Sequence, residues 1–309
     1  AAVGALLWSR YSCAPMPSLT PRPSSRTIRL LPNALTLANA GLGLLAISKA
    51  IDALALGQDA AAFESNMEAA CWLVLAAGVF DALDGKVARL TNSLSPLGAQ
   101  LDSLADALTF GVAPAIIAKV LLEHAELAHT RIHFAAAAAF SLMAILRLAR
   151  FNAETDDDDD HSRFRGLPTP AAAGTLVATI LLFLSVRGSI EGATAGVQPT
   201  LFGRALEACP VGLRETVGDA LLLPLVRGLL PLLALLMVSR VQYVHLVTRR
   251  GSMQGRGALV GLVFTMLGLF LVPVPFLFLF GLGYVGSGLF GALRRGNAHG
   301  APDADRRAA

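Results

Sequence analysis

Apolar residues run along this chain in blocks long enough to cross a bilayer, joined by short polar segments. The blocks lie at about 34–55, 67–86, 96–122, 133–151, 169–187, 219–239, 257–272 and 274–291. A membrane span takes about 20 mostly apolar residues. The blocks lack the strict alternation of a barrel strand. A backbone in hydrocarbon must satisfy its own polar groups, which here leaves helices. The pattern therefore predicts an all-α polytopic membrane helix bundle: a six-span core followed by a C-terminal hairpin, about eight spans in all. The last two blocks are short and joined only by Val272-Pro273-Val274-Pro275, which predicts a tight helical turn.

The polar segments set the expected boundaries. Residues 1–30 are rich in Arg, Ser and Pro and read as a disordered cytoplasmic tail. Ala5–Trp8 is too short for the apolar core of a secretory signal. Residues 31–250 read as the membrane domain, 251–293 as a transmembrane hairpin and 294–309 as a basic cytoplasmic tail.

Composition agrees with this picture. Of the 309 residues, 54% are hydrophobic and 15% charged, against about 25% charged in soluble domains. The net charge of +3 becomes informative once the charges are placed. With the N-terminus inside, 18 of the 25 Lys and Arg residues fall on the inner side and seven on the outer. The positive-inside rule then puts both termini in the cytoplasm. Nothing in the charge pattern points to nucleic acid. The three cysteines, Cys13, Cys71 and Cys209, lie far apart and form no metal or disulfide framework. His124, His129 and His133 fall between two spans without a carboxylate or thiol partner and read as a solvated loop. The run Asp156–Asp160 reads as a solvated turn, because nothing fixes five adjacent carboxylates around an ion.

Four carboxylates stand out against this apolar background. Asp81 and Asp84 close the second span, and Asp102 and Asp106 lie in the third. By the charge pattern they face the cytoplasm. Residues three or four apart share one helix face, so adjacent packing of the two spans would make the acids converge. A carboxylate in a span needs a partner charge, a metal or water, and too few bases lie nearby. Hard oxygen ligands at this density suit two Mg²⁺ or Mn²⁺ ions, the arrangement that clamps a pyrophosphate. Gly85 would let a ligand approach the backbone. Ala88 keeps the next turn small. Arg89 can reach a phosphate, and Gly98 permits close helix packing. An ion pathway through a transporter bundle is the rival reading, but it gives no reason for these flanking residues.

The pattern Asp-x2-Asp-Gly-x2-Ala-Arg-x8-Gly-x3-Asp-x3-Asp resembles the signature of the CDP-alcohol phosphatidyltransferase family. All of its fixed positions are met, by Asp81, Asp84, Gly85, Ala88, Arg89, Gly98, Asp102 and Asp106. The resemblance extends over about residues 30–250. It implies that Asp81, Asp84 and Asp102 hold one divalent ion and that Asp81, Asp102 and Asp106 hold a second. It also implies Asp106 as general base. Gly85, Ala88, Arg89 and Ser95 would lie against CDP-diacylglycerol, together with Pro32, Asn33 and Thr36.

Three further stretches open span one (Leu31–Asn39), close span four (Arg147–Asn152) and open span five (Phe164–Ala172). Together with Leu236–Arg240, they resemble the integral-membrane branch of that family that uses L-serine as acceptor. Serine is a zwitterion, and its carboxylate calls for a cation or a helix N-terminus. Arg147, Arg150 and Asn152 are the candidates, with interfacial anchoring as the alternative role of the two arginines. Glycerol 3-phosphate or inositol phosphate remains the competing acceptor. The resemblance further implies pairing of two copies through their spans, and a bacterial inner membrane with the site facing the cytoplasm.

Overall fold

A computed structural model describes residues 26–56, 59–90, 96–125, 129–154, 166–188, 201–239, 241, 243 and 256–299. Among these residues the structure is helical throughout, with no strand. The helices are α1 (Arg26–Ala55), α2 (Ala60–Leu90), α3 (Pro96–Asp106), α4 (Ala113–Ala125), α5 (Thr130–Glu154), α6 (Thr169–Gly188), α7 (Leu201–Glu207), α8 (Val211–Val217), α9 (Leu223–Val238), α10 (Arg256–Leu271) and α11 (Pro273–His299). Two π-helical segments, Ala107–Val112 and Gly218–Leu222, join α3 to α4 and α8 to α9 without a break.

Seven helical stretches are long and apolar enough to cross a membrane. They include α3 through α4 as one span and α8 through α9 as another. The expected seventh block forms α10, which has 16 residues. At about 1.5 Å per residue it measures about 24 Å, short of the roughly 30 Å hydrocarbon core. Val272 alone separates α10 from α11, so the expected hairpin turn is present. Helices also overrun the expected tails. α1 starts at Arg26 and α11 continues to His299. Span six starts at Val211, before the expected 219, because the π turn lets the helix continue through Gly218.

Prolines punctuate several starts, where a missing N–H costs nothing. Pro96 opens α3, Pro170 follows the first residue of α6, and Pro273 opens α11. Gly166 precedes α6 at φ +89°, a conformation that suits glycine. Its N–H donates to Val241 O at 2.9 Å, and the N–H of Leu167 donates to Leu236 O at 3.1 Å. These bonds stitch the start of α6 to the end of α9.

α6 is the most enclosed span, lined by Leu176, Val177, Ile180 and Leu181 and packed on by α2, α9 and α11. α1 and α2 meet along small residues, Ala46, Ala50 and Ala53 on one side and Ala70 and Ala77 on the other. Lipid tails are as apolar as leucine, so close backbone approach drives such pairs. The outer faces carry exposed Leu37, Leu44, Ile51, Val79 and Phe134, as a lipid-facing surface requires.

The histidine segment differs from the expected solvated loop. His133 is buried within α5, and His124 belongs to α4 and stacks on Phe63 at 3.7 Å. Only His133 is enclosed, because the apolar periodicity of α5 continues through it; His124 and His129 are exposed. Cys71 is buried and reduced, as expected, and Cys209 is also free. Cys13 and the Asp156–Asp160 run lie outside the described residues.

Gly43 is the tightest point between α1 and the first π segment. A Cβ there would lie 2.5 Å from Thr109 Oγ1 and 3.0 Å from its Cα, whereas one at Gly41 would meet nothing within 4 Å. Overpacking of this kind costs about 1–3 kcal/mol. Gly43→Leu is therefore expected to lower the thermal midpoint of the detergent-solubilised protein by several degrees, with Gly41→Leu close to the parent. Equal midpoints for the two variants would show that this contact does not hold α1 in place.

Candidate active site

The acids sit where α1, α2 and the α3–α4 span meet. Asp81 and Asp84 lie near the C-terminal end of α2, and Asp102 and Asp106 close α3. Asp81, Asp102 and Asp106 each turn a carboxylate oxygen inward, and the three oxygens lie within 4.8 Å of one another. α3 packs on α1 rather than along α2. Spans two and three also meet directly, through contacts of α2 with α4 and with the π segment between α3 and α4.

Asp84 points elsewhere. It is 4% exposed, and its Oδ2 accepts a hydrogen bond from Thr36 Oγ1 at 2.9 Å. The same hydroxyl lies 3.0 Å from Pro32 O, one turn earlier in α1. Thr36, expected beside the CDP moiety, fixes the rotamer of Asp84.

Asp106 is held from two directions. Asn39, wholly buried in α1, donates from Nδ2 to Asp106 Oδ1 at 3.4 Å. Asn39 O in turn accepts from Thr109 Oγ1 at 3.2 Å. The π segment begins immediately after Asp106, and the Ala113 N–H reaches Leu108 O across the wide turn. Such turns accumulate at functional sites. Ser141 of α5 donates to Gly111 O at 3.2 Å, and a Cβ at Gly111 would lie 3.2 Å from the Ala144 methyl. The segment is therefore gripped by α1 on one side and α5 on the other.

Among the described residues, the ion pairs are Lys49–Asp52, Lys119–Glu123 and Arg187–Asp219; none involves the four acids. Two like charges about 4.8 Å apart repel by roughly 3 kcal/mol at an effective dielectric of about 20. Three of them facing one another without a basic partner fit a hard divalent cation, whose preferred ligands are carboxylate oxygens. The donor set thus suits Mg²⁺ or Mn²⁺, with Asp81, Asp102 and Asp106 as the residues best placed to hold an ion.

Around the acids, Gly85 exposes its backbone, and a Cβ there would meet nothing within 4 Å. Arg89 is exposed and its Nε donates back to Gly85 O at 3.0 Å. Pro32 is buried and Asn33 half-buried. Ala88 is helical, but its side chain and the whole of Ser95 lie outside the described residues. On the α5 side, Arg147 is half-buried and its Nη1 donates to Thr169 Oγ1 at 2.8 Å. Arg150 is exposed. Asn152 is exposed too, and its Nδ2 donates to Ser103 Oγ at 2.9 Å, tying α5 to the residue after Asp102. Of the three expected serine ligands, Arg147 is the most enclosed, the other two being exposed.

A family model described as CDP-alcohol phosphatidyltransferase matches residues 29–202, more than half of the chain. The chain belongs to this family. It is 41% identical over 153 residues to the CDP-diacylglycerol–serine O-phosphatidyltransferase of Helicobacter pylori, covering 50% of this chain and 58% of that protein. It is 35% identical over 173 residues to the protein of the same name from Mycobacterium leprae, covering 54% and 52%. It is 38% identical over 148 residues to the archaetidylserine synthase of Methanothermobacter thermautotrophicus, covering 47% and 55%. The chain spans about half the length of the curated relatives it matches.

Two residues that shape the acid cluster were not singled out from the sequence. Asn39 carried a signal, a buried-type polar residue one turn after Thr36 in an apolar span. Thr109 carried none, because a π turn has no sequence period of its own. Groups that orient metal ligands typically change metal affinity by about 10–100-fold when removed. Thr36→Val is expected to weaken Mn²⁺ binding, followed by titration calorimetry, within that range, and Asp102→Asn is expected to abolish it. Parent-like affinity in Thr36→Val would mean that the orientation of Asp84 does not matter to the ion.

Proposed function

We propose that this protein transfers the phosphatidyl group of CDP-diacylglycerol to L-serine, giving phosphatidylserine and CMP. The observation that carries this reading is the convergence of Asp81, Asp102 and Asp106 in a member of the CDP-alcohol phosphatidyltransferase family. The names of its relatives support serine as the acceptor.

Asp81, Asp84 and Asp102 would hold one divalent ion, and Asp81, Asp102 and Asp106 a second. Bound there, such ions neutralise the pyrophosphate and stabilise charge on the attacking and leaving oxygens of an in-line displacement. Gly85 offers open backbone to the cytidine diphosphate, and Arg89, one turn further, can swing from Gly85 O to a phosphate. Pro32, Asn33 and Ser95 would border the same ligand. The acyl chains stay in lipid, against the exposed leucines of α1 and α2.

Asp106 is the proposed base. The serine hydroxyl oxygen forms a new bond to the phosphorus that carries diacylglycerol. The bond from that phosphorus to the CMP oxygen breaks, and the hydroxyl proton passes to Asp106. Asn39 keeps the accepting carboxylate aimed by occupying its Oδ1. Arg147 is the proposed partner of the serine carboxylate, with Arg150 and Asn152 further out at the mouth of the site. The charge distribution supports a site that opens to the cytoplasm; by resemblance to its family, the protein would lie in a bacterial inner membrane as a pair of copies.

CMP release by the purified protein is expected to require CDP-diacylglycerol, L-serine and Mg²⁺ or Mn²⁺ together. Release with glycerol 3-phosphate and none with serine would overturn the choice of acceptor. Removing a general base typically costs about 10²–10⁴-fold in rate. Asp106→Asn is expected to lower kcat within that range while CDP-diacylglycerol binding changes far less. A kcat within a few-fold of the parent would remove Asp106 as the base.

A further inference from the structure

The acceptor side of the site reaches into helices beyond residues 29–202, the part that the family model matches. Arg147 is the link. Thr169, wholly buried at the start of α6, anchors its Nη1. Its Nε is buried and has no hydrogen-bond partner. The guanidinium lies within electrostatic reach of the Asp106 carboxylate and of the Tyr284 hydroxyl.

Tyr284 belongs to α11. Its ring lies 5.5 Å from that of Tyr243, tilted by 34°, and the two hydroxyls are within electrostatic reach of each other. Tyr243 follows the end of α9 and is 5% exposed, yet its hydroxyl has no partner. Burial, reinforced by the Tyr284 phenol, pushes the Tyr243 hydroxyl up to about 12, so it is a neutral donor at physiological pH. Gly288 fixes this arrangement: any side chain there would overlap the Tyr243 ring, so α11 passes directly against it.

A buried donor without an acceptor is rare and costly. Among the described residues, the Arg147 Nε and the Tyr243 hydroxyl are two such donors, linked through Tyr284. Both would be satisfied by a small anion. One guanidinium and two neutral phenols match a single negative charge with several lone pairs. A doubly charged phosphate monoester would have one arginine to balance it, close to four carboxylates.

We propose that Tyr243 and Tyr284, with Arg147, form the subsite that binds the carboxylate of an amino-acid acceptor. The proposal rests on the serine reading above. It makes the two tyrosines specificity-determining residues, and it gives α11 a part in choosing the acceptor. Held there, the acceptor keeps its hydroxyl on the Asp106 side of Arg147.

The test uses the full chain in nanodiscs with CDP-diacylglycerol and Mn²⁺, and follows CMP release with L-serine and with ethanolamine, which is serine without its carboxylate. The parent protein supplies the control. If it releases no CMP with serine, the reading of the reaction fails and the subsite falls with it. Where the parent uses serine, Tyr284→Phe and Tyr243→Phe are each expected to raise the KM for serine about tenfold, the usual size for one hydrogen bond to a charged group. The KM for CDP-diacylglycerol and the rate with ethanolamine are expected to stay near the parent values, so the preference for serine drops by the same factor. Phenylalanine keeps the ring packing. Tyr243→Phe also removes an unpartnered buried hydroxyl, so its thermal midpoint without serine is expected to hold or rise. Unchanged serine KM in both variants, or equal losses with serine and ethanolamine, would assign the tyrosines to packing alone and overturn the subsite.

Discussion

Like-charge repulsion in a low-dielectric setting is the constraint on which this architecture depends. Asp81, Asp102 and Asp106 bring their oxygens within 4.8 Å of one another in a bundle whose outer surface is lipid-facing leucine, valine and phenylalanine. Left alone, the three would rotate apart. The structure opposes this with neutral hydrogen bonds rather than with bases. Thr36 binds Asp84 and Asn39 binds Asp106, both from α1. A lysine in either place would neutralise the cluster and compete with a cation. Threonine and asparagine fix the rotamers and leave the negative charge available.

α1 therefore acts as the strut of the site, and its packing follows from that role. Gly43 lets it lie directly on the π segment, and Ala46, Ala50 and Ala53 let it lie directly on α2. Small residues at both contacts hold two acid-bearing elements at fixed distances from a single helix. The π turn after Asp106 completes the arrangement. It carries the helix on into α4 while Ser141 satisfies the Gly111 carbonyl. The acids thus sit on a rigid frame whose contacts are backbone-close, and small changes far from the carboxylates would displace them.

The acid cluster was legible in the sequence because charge in an apolar block is conspicuous and the spacing of the four aspartates follows helix periodicity. The span positions were legible for the same reason, since hydropathy is a one-dimensional signal. What joined the acids was not. The packing of α3 on α1 depends on where the small residues of neighbouring helices meet, which hydropathy along the chain does not encode. The bond between Thr36 and Asp84 was not legible either, because the two residues lie 48 positions apart. Arg147 and Asn152 were grouped by proximity in sequence. In the helix they face different neighbours, Thr169 for one and Ser103 for the other. Tyr243 and Tyr284 were invisible as a pair, because only the docking of α11 on α6 brings them together.

The distribution of charge across the site also bears on how one family frame can serve different acceptors. The carboxylates and the open backbone of Gly85 come from α2 and α3, and in the proposed reaction they would address the pyrophosphate that every CDP-lipid carries. The acceptor side is built differently. Arg147 stands on α5, is braced by α6, and faces aromatic hydroxyls from the end of α9 and from α11. The direct side-chain hydrogen bonds to Asp84 and Asp106 come from α1, so the acceptor-side groups do not themselves hold the acids. An acceptor with one negative charge suits a single guanidinium set among neutral donors. A more highly charged acceptor would need more cations than Arg147 at this position, and each added cation would draw the aspartates away from their metals. In the proposed reaction, the balance between a strongly acidic half and a weakly basic half would favour a small zwitterion as the second substrate.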